Sequence, residues 1–320
     1  MKRFDRSMHD IEKDFYDFMT QMGIKPLTDY PRADGQLHRY RVEGDRAGSK
    51  NGWFVLYSHP YPFGACGSWK QGSSHTWNGQ DGTGLPPATD MGKIKRQIAA
   101  AAKKHKREVE RRQLAVAEVC RQQWATFPEA NECHPYLQTK GVKPHGLKQK
   151  DGSLIIPLRD TSGELFSWQR IGPDGRKMFQ KEGRTKGCFH QINDIHPGRT
   201  TIFIAEGYAT AATIYERMPE VMDNFVNKSL LPNASDYAVI VAFNASNLTC
   251  VAQAIRAQYK LNPIVIVADN DHRTEGNPGE TKAKEAQLLC NAQLIMPTFE
   301  PHETGTDFND FFQNQGMVKL

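Results

Sequence analysis

Short apolar runs without polar alternation mark the last third of the chain. Thr201-Ile202-Phe203-Ile204-Ala205 stops at Glu206-Gly207. Ala238-Val239-Ile240-Val241-Ala242-Phe243 follows, and Ile264-Val265-Ile266-Val267-Ala268 runs straight into Asp269-Asn270-Asp271. Runs of this length, rich in β-branched residues and bounded by glycine or polar residues, predict buried strands. Ala209 to Met218 predicts a helix after the first run, and this helix and a loop precede the second. Strands alternating with helices predict a parallel sheet, whose ligands bind beyond the carboxyl ends of the strands. Glu206, Asp269 and Asp271 would then share one edge. Carboxylates gathered at one edge repel each other, and a hard divalent cation such as Mg²⁺ is the simplest compensation. An isolated Asp-x-Asp can equally cap a helix. The apolar strand ahead of each acidic element is what favours a metal site.

A different pattern precedes this one. Ser153-Leu154-Ile155-Ile156-Pro157-Leu158-Arg159-Asp160 predicts a strand ending in a turn at Gly163. Leu165-Phe166-Ser167-Trp168-Gln169-Arg170 predicts the return strand and Arg176 to Lys181 a third. Nearer the start, Ile11, Phe15, Phe18 and Met19 fall at helical spacing within residues 1–23, and Gly23 and Pro26 end the pattern. Leu37 to Val42, Gly52 to Tyr57, Phe63 to Lys70 and Ser74 to Trp77 then predict a small β-rich module. It interleaves Arg39, Arg41, Lys50 and Lys70 with Trp53, Trp69 and Trp77. Aromatics beside cations can stack bases and hold phosphates. A small β core rich in aromatics gives the same pattern, and both readings stand. Asn78 to Asp90, rich in Gly, Pro and Thr, reads as a linker. Met91 to Trp124 reads as a helix crowded with basic residues, among them Lys103, Lys104, Lys106 and Arg107. It is either a solvated spacer or a surface that tracks a phosphate backbone.

Composition changes this picture little. The chain has 320 residues and a net charge of +5, with 38% hydrophobic residues. Mean hydropathy is −0.62 and the isoelectric point about 8.8. Mild basicity is compatible with nucleic acid without specifying it. No apolar run is long enough to cross a membrane. Charged residues, not an apolar segment, follow Met1-Lys2-Arg3, so no secretory leader is expected. The six cysteines form no Cys-x-x-Cys pair, which speaks against a zinc ribbon and for a reducing, cytoplasmic compartment. No nucleotide-binding Gly-x-x-x-x-Gly-Lys loop occurs, so no fused helicase motor is expected.

Ile204-Ala205-Glu206-Gly207-Tyr208 with Val267-Ala268-Asp269-Asn270-Asp271 resembles the Toprim domain of bacterial-type primases, topoisomerases and some nucleases. The Glu-Gly-Tyr triplet resembles primases in particular. Asp269-Asn270-Asp271 stands where the family usually has Asp-Gly-Asp, and keeps both carboxylates. Gly305-Thr306-Asp307-Phe308-Asn309-Asp310 is similar to the acidic motif that closes the domain. Pro157-Leu158-Arg159-Asp160, Gly163, Arg170 and Lys177 resemble the β-rich half of the primase core that precedes it, and residues 30–77 a region of phage- and plasmid-type Toprim primases.

The resemblance implies an α/β fold. A Rossmann-like parallel sheet over 199–320 would follow a β-rich primase-core subdomain over 131–198. An N-terminal α+β module over 1–77 and a linker and basic helix over 78–130 would precede both. It implies a primase, a nucleotidyltransferase that makes primers on single-stranded DNA from NTPs. Glu206, Asp269 and Asp271 would hold Mg²⁺ or Mn²⁺, with no zinc. Arg159, Arg170 and Lys177 would face template or triphosphate, and Gly207, Asp307, Asn309 and Asp310 would support the site. A replicative helicase is a candidate partner, and the missing zinc ligands point to a mobile element. A Toprim nuclease, or a non-catalytic nucleic-acid-binding protein on the same fold, remains the alternative.

Overall fold

The computed structural model describes residues 6–27, 30–59, 62–79, 88–227, 236–300 and 302–317. The chain divides into two compact units, Met1–Glu108 and Val109–Leu320.

The first unit packs one helix on one face of a sheet. Helix α1 (Met8–Gln21) opens with a capping box in which Ser7 and Asp10 satisfy each other's backbone amides. It buries Ile11, Phe15 and Met19. Strands β1 (His38–Tyr40), β2 (Gly52–Tyr57), β3 (Phe63–Ser68) and β4 (Ser73–Asn78) form an antiparallel meander in sequential order. Alternate residues of its strands, Tyr40, Phe54, Leu56 and Cys66, meet α1. The β content of 37–77 therefore matches the expectation. The segment read as a linker lies mostly outside the described residues, and helix α2 (Ala88–Trp124) begins earlier than Met91.

In the second unit, short helix α3 (Pro135–Lys140) precedes a second meander. Strands β5 (Lys148–Lys150), β6 (Ser153–Arg159), β7 (Leu165–Ile171) and β8 (Lys177–Phe179) run antiparallel in sequential order. Its faces are chemically distinct because side chains alternate along a strand. Leu154, Ile156, Leu158 and Ile171 join the main core, whereas Ile155, Leu165 and Trp168 pack with Cys120 and Phe127 on the other side.

The main sheet has order β13-β12-β10-β11-β9. Strands β10 (Thr201–Ala205), β11 (Tyr237–Val241), β12 (Ile264–Val267) and β13 (Gln293–Ile295) are parallel, and β9 (His190–Ile192) joins antiparallel at one edge. The apolar runs carry no polar alternation because both faces are covered. Phe203, Ala205, Val239, Val241, Val265 and Val267 face a core shared with the meander and helices α4 (Tyr208–Glu216), α5 (Met218–Asn224) and α8 (Phe308–Met317). Ile202, Ile204, Ile240, Ile264 and Ile266 face α6 (Ala245–Gln258) and α7 (Pro278–Cys290). The three predicted strands are present, and the parallel α/β arrangement is as expected. Sequence reading missed β5, β9, β13 and α3, each too short to show a period. Among the described residues no helix is long and apolar enough to cross a membrane.

Candidate active site

The order of the main sheet fixes where a site can form. The chain leaves β10 toward β11 but leaves β12 toward β13, so these neighbours diverge at their carboxyl ends. That divergence is the crevice in which ligands of open α/β sheets bind. Glu206 directly follows β10, and Asp269 lies just beyond β12. They line a cleft of about 430 Å³ together with Gly207, Asp307, Lys177 and Lys140. Tyr136, Thr210 and Phe243 complete much of the wall.

Electrostatics in the cleft follow from burial without enough countercharge. Burial raises the Glu206 carboxyl above its ordinary value, and Asp271 and Asp307 raise it further. The amide of Ala245 and the Lys177 ammonium pull in the opposite direction. Asp269 is raised well above the carboxylate range, first by burial and then by Glu206, Asp307 and Asp271. Its Oδ1 is buried with no hydrogen-bond partner. An orphaned carboxylate oxygen among other carboxylates is the donor set that a hard cation fits. Among the described residues, however, no three acidic, His or Cys side chains stand close enough together to hold an ion.

Asp271 shares the edge but is tied elsewhere. Its Oδ2 accepts the Gly279 amide at 3.0 Å, in the first turn of α7. The start of a helix favours an anion. A Cβ at Gly279 would stand 2.7 Å from the Asp269 carbonyl and 2.9 Å from Asp271 Oδ2, so only glycine allows this approach. Asn277, at φ +38°, caps the same helix, and its side chain accepts the Asp271 amide at 2.9 Å. Asn270, the departure from Asp-Gly-Asp, accepts from Asn277 at 3.1 Å and donates to the Pro297 carbonyl at 3.0 Å. It fastens the acidic turn in place of a glycine.

The closing motif splits into different roles. Asp307 lines the cleft, accepts from Thr210 at 3.0 Å and caps α8 through the Asp310 amide at 2.9 Å. Asn309 donates to the Lys140 carbonyl at 2.7 Å and to Thr213 at 2.8 Å. Asp310 pairs with the Lys140 ammonium at 3.2 Å. Asn309 and Asp310 thus hold the α3 wall. Tyr208 does the same from the Glu-Gly-Tyr triplet: its hydroxyl donates to the Lys143 carbonyl and accepts the His145 amide.

The meander brings one of its three expected cations to the cleft. Lys177 pairs across the sheet with Ile171, which faces the main core. Its Nζ lies 3.9 Å from where a Gly207 Cβ would be. Arg170 pairs with Ile155, on the opposite face, and reaches Asp151 at 3.8 Å. Arg159 pairs with Leu165 on that same far face and lies over the Trp124 ring at 5.8 Å. Neither arginine is among the residues that line the cleft, and by register both lie on the face opposite Lys177. Sequence reading also missed Lys140. The signal available was His134-Pro135-Tyr136: His134 Nδ1 accepts the Tyr136 amide at 3.2 Å and Pro135 occupies the first turn. A helix start there places Lys140 at the last turn.

Residues 201–317 match the family model of the Toprim domain. The chain is 34% identical over 305 residues to a DNA primase TraC of Escherichia coli, covering 91% of this chain and 27% of that protein. A second Escherichia coli DNA primase TraC is 33% identical over 292 residues, covering 88% of this chain and 19% of that one. The chain therefore spans about a quarter of the first relative and about a fifth of the second. Among solved structures, the primase fragment of the bacteriophage T7 primase-helicase protein aligns with 15% identity and a TM-score of 0.39, over 60% of this chain and 76% of that one.

Proposed function

With residues 201–317 a Toprim domain and most of the chain similar to DNA primases named TraC, we propose that this chain is a primase core. It would join nucleoside triphosphates on a single-stranded DNA template by nucleotidyl transfer. The observation that carries the reading is the cleft itself, where buried carboxylates lie opposite two lysines at the switch point of a parallel sheet. A nuclease would use the same cleft, and the similarity of most of the chain to DNA primases is what favours synthesis over cleavage.

Glu206 and Asp269, with Asp271 at the same edge, would hold Mg²⁺ or Mn²⁺. A bound ion of this kind neutralises charge on a transferring phosphoryl group and its leaving group. The remaining work falls to the chain. Lys177 and Lys140 attract a triphosphate into a cleft whose carboxylates alone would repel it. Glu206 could instead serve as the general base that takes the proton of the attacking 3′-hydroxyl, leaving the ion to Asp269 and Asp271. Asp307, fixed by Thr210, keeps the wall beneath that hydroxyl polar. Phe243 closes the crevice at a backbone φ of +74°, a conformation that bulky residues rarely adopt.

The test is template-dependent oligonucleotide synthesis from labelled NTPs on single-stranded DNA with Mg²⁺ or Mn²⁺. Products that require template, metal and NTPs support the reading. Template shortening in place of synthesis would establish the nuclease. DNA binding with neither activity would leave a binding protein. Partners follow the same proposal: template, NTPs and a replicative helicase.

A further inference from the structure

The first unit has a sheet face that its helix does not cover. Helix α1 takes the face carrying Tyr40, Phe54, Leu56 and Cys66. The opposite face carries Trp53, Val55 and Ala65, with Leu37 and Tyr57 beside them. One row crosses it: Arg39 is paired with Trp53, Trp53 with Gly67, and Gly67 with Ser74. Gly67 leaves room for the Trp53 indole to lie flat on the sheet. A Cβ there would stand 2.8 Å from the ring and would also strike the Ser73 carbonyl. Trp69 then packs on Trp53 with ring centroids 5.7 Å apart, and remains 51% exposed. Trp53, Val55 and Ala65 are themselves buried, so Trp69 is the aromatic ring that this face presents to solvent.

Cations gather at the same end. The Trp69 amide donates to the Asn51 carbonyl at 2.9 Å, so the backbones of Lys50 and Lys70 flank this paired row. Arg39 donates to the Lys50 carbonyl through Nε at 3.1 Å and Nη2 at 2.5 Å, and stays exposed. Asp45 is the facing acid. It is buried, and its carboxylate is engaged by Lys70 at 3.0 Å and Asn51 at 3.0 Å. With Lys70 paired to Asp45, Arg39 and Lys50 are the exposed cations left at this end of the module.

We propose that this face is a stacking surface for single-stranded nucleic acid, with Trp69 receiving a base and Arg39 and Lys50 meeting phosphates. Protein interfaces deplete lysine around their aromatic anchors, whereas Lys50 and Lys70 are both exposed at this end of the sheet. Stacking on an exposed aromatic beside a basic track is how unpaired strands are held, and only an unpaired base can reach such a ring. The proposal deepens the primase reading, which supplies the strand, but it is tested without catalysis.

The experiment measures fluorescence anisotropy of a labelled oligo(dT) with the full chain, across salt concentrations, without metal or NTPs. Trp69→Ala should weaken binding about tenfold and Trp69→Phe should restore most of it. Lys50→Glu should weaken binding and flatten the dependence of log affinity on log salt. Binding equal to the parent for Trp69→Ala overturns the proposal. So does a change in sedimenting mass on that substitution, which would mark the face as a protein interface. If Trp69→Ala melts early, Lys50→Glu decides alone, since its side chain is exposed. A parent that binds through Trp69 but makes no primers sinks the primase reading alone. A parent that primes while Trp69→Ala binds as the parent does sinks this proposal alone.

Discussion

The two faces of the β5–β8 meander carry similar charges and put them to opposite uses. On the inner face, Lys177 has acidic neighbours across the cleft, and its charge offsets that of Glu206 and Asp269. On the outer face, Arg159 and Lys148 lie over Trp124 at 5.8 and 5.1 Å, and Lys150 lies over Phe127 at 4.9 Å. There the cations staple the end of α2 to the sheet, their stems and charges spread over aromatic rings. A one-residue step along a strand moves a side chain from one role to the other. Charge alone therefore does not identify a substrate-facing residue, but charge together with register does.

The strongest break of that comparison is on the acidic side of the inner face. Glu206→Gln or Asp269→Asn should lower primer synthesis by at least about 100-fold while leaving circular dichroism unchanged. Near-parental synthesis by either folded variant would remove the cleft from the chemistry.

Lys177→Ala should come next. Loss of a charged contact to a phosphate is worth about 2 kcal/mol, so nucleotide or template affinity should fall by about tenfold or more. Mn²⁺ binding, followed by titration calorimetry, should persist, because an ammonium offers no metal ligand. Arg170→Ala on the other face should change nucleotide affinity less than about twofold, as expected of a surface pair. Equal losses at both positions would mean that the two faces do not divide the work.

Asn309→Asp sharpens the role of the α3 wall. Asn309 donates both its amide hydrogens' worth of bonding to Lys140 and Thr213, and a carboxylate cannot donate. The variant should lose about 2 kcal/mol in urea unfolding, from a buried acceptor left facing a carbonyl. An unchanged midpoint would show that this bond does not hold the wall.

The smallest effect is a pH dependence without metal. Glu206 and Asp269 have folded-state carboxyls raised above their unfolded values, so the folded chain binds protons more tightly. Stability from these groups is present at low pH and is lost as pH rises through the raised values. Asp269→Asn should therefore melt higher than the parent near neutral pH in chelator. The gap should close below about pH 4, where the unfolded carboxyl is itself protonated. A parent that melts higher at neutral pH would show that Lys177 already compensates the cluster.

Much of this molecule is set by short-range pattern. Uninterrupted β-branched runs specified β10, β11 and β12 because strands covered on both faces need no polar alternation. The residue after each run then fell at the carboxyl edge, so Glu206 and Asp269 were legible before any geometry. Composition likewise placed Trp69 among cations. Other features depended on what lies far away in sequence. Strands β9 and β13 are three residues each and exist through their neighbours in the sheet. The side on which Arg159, Arg170 and Lys177 emerge was decided by cross-strand register, including the irregularity between Leu158 and Arg159. Lys140 reached the cleft because Asn309 and Asp310, on the last helix, hold it there. Sequence determined which carboxylates stand at the acidic edge, because a strand end is a local event. Tertiary structure decided which cations face it, because that depends on pairing between strands and helices that no local pattern encodes.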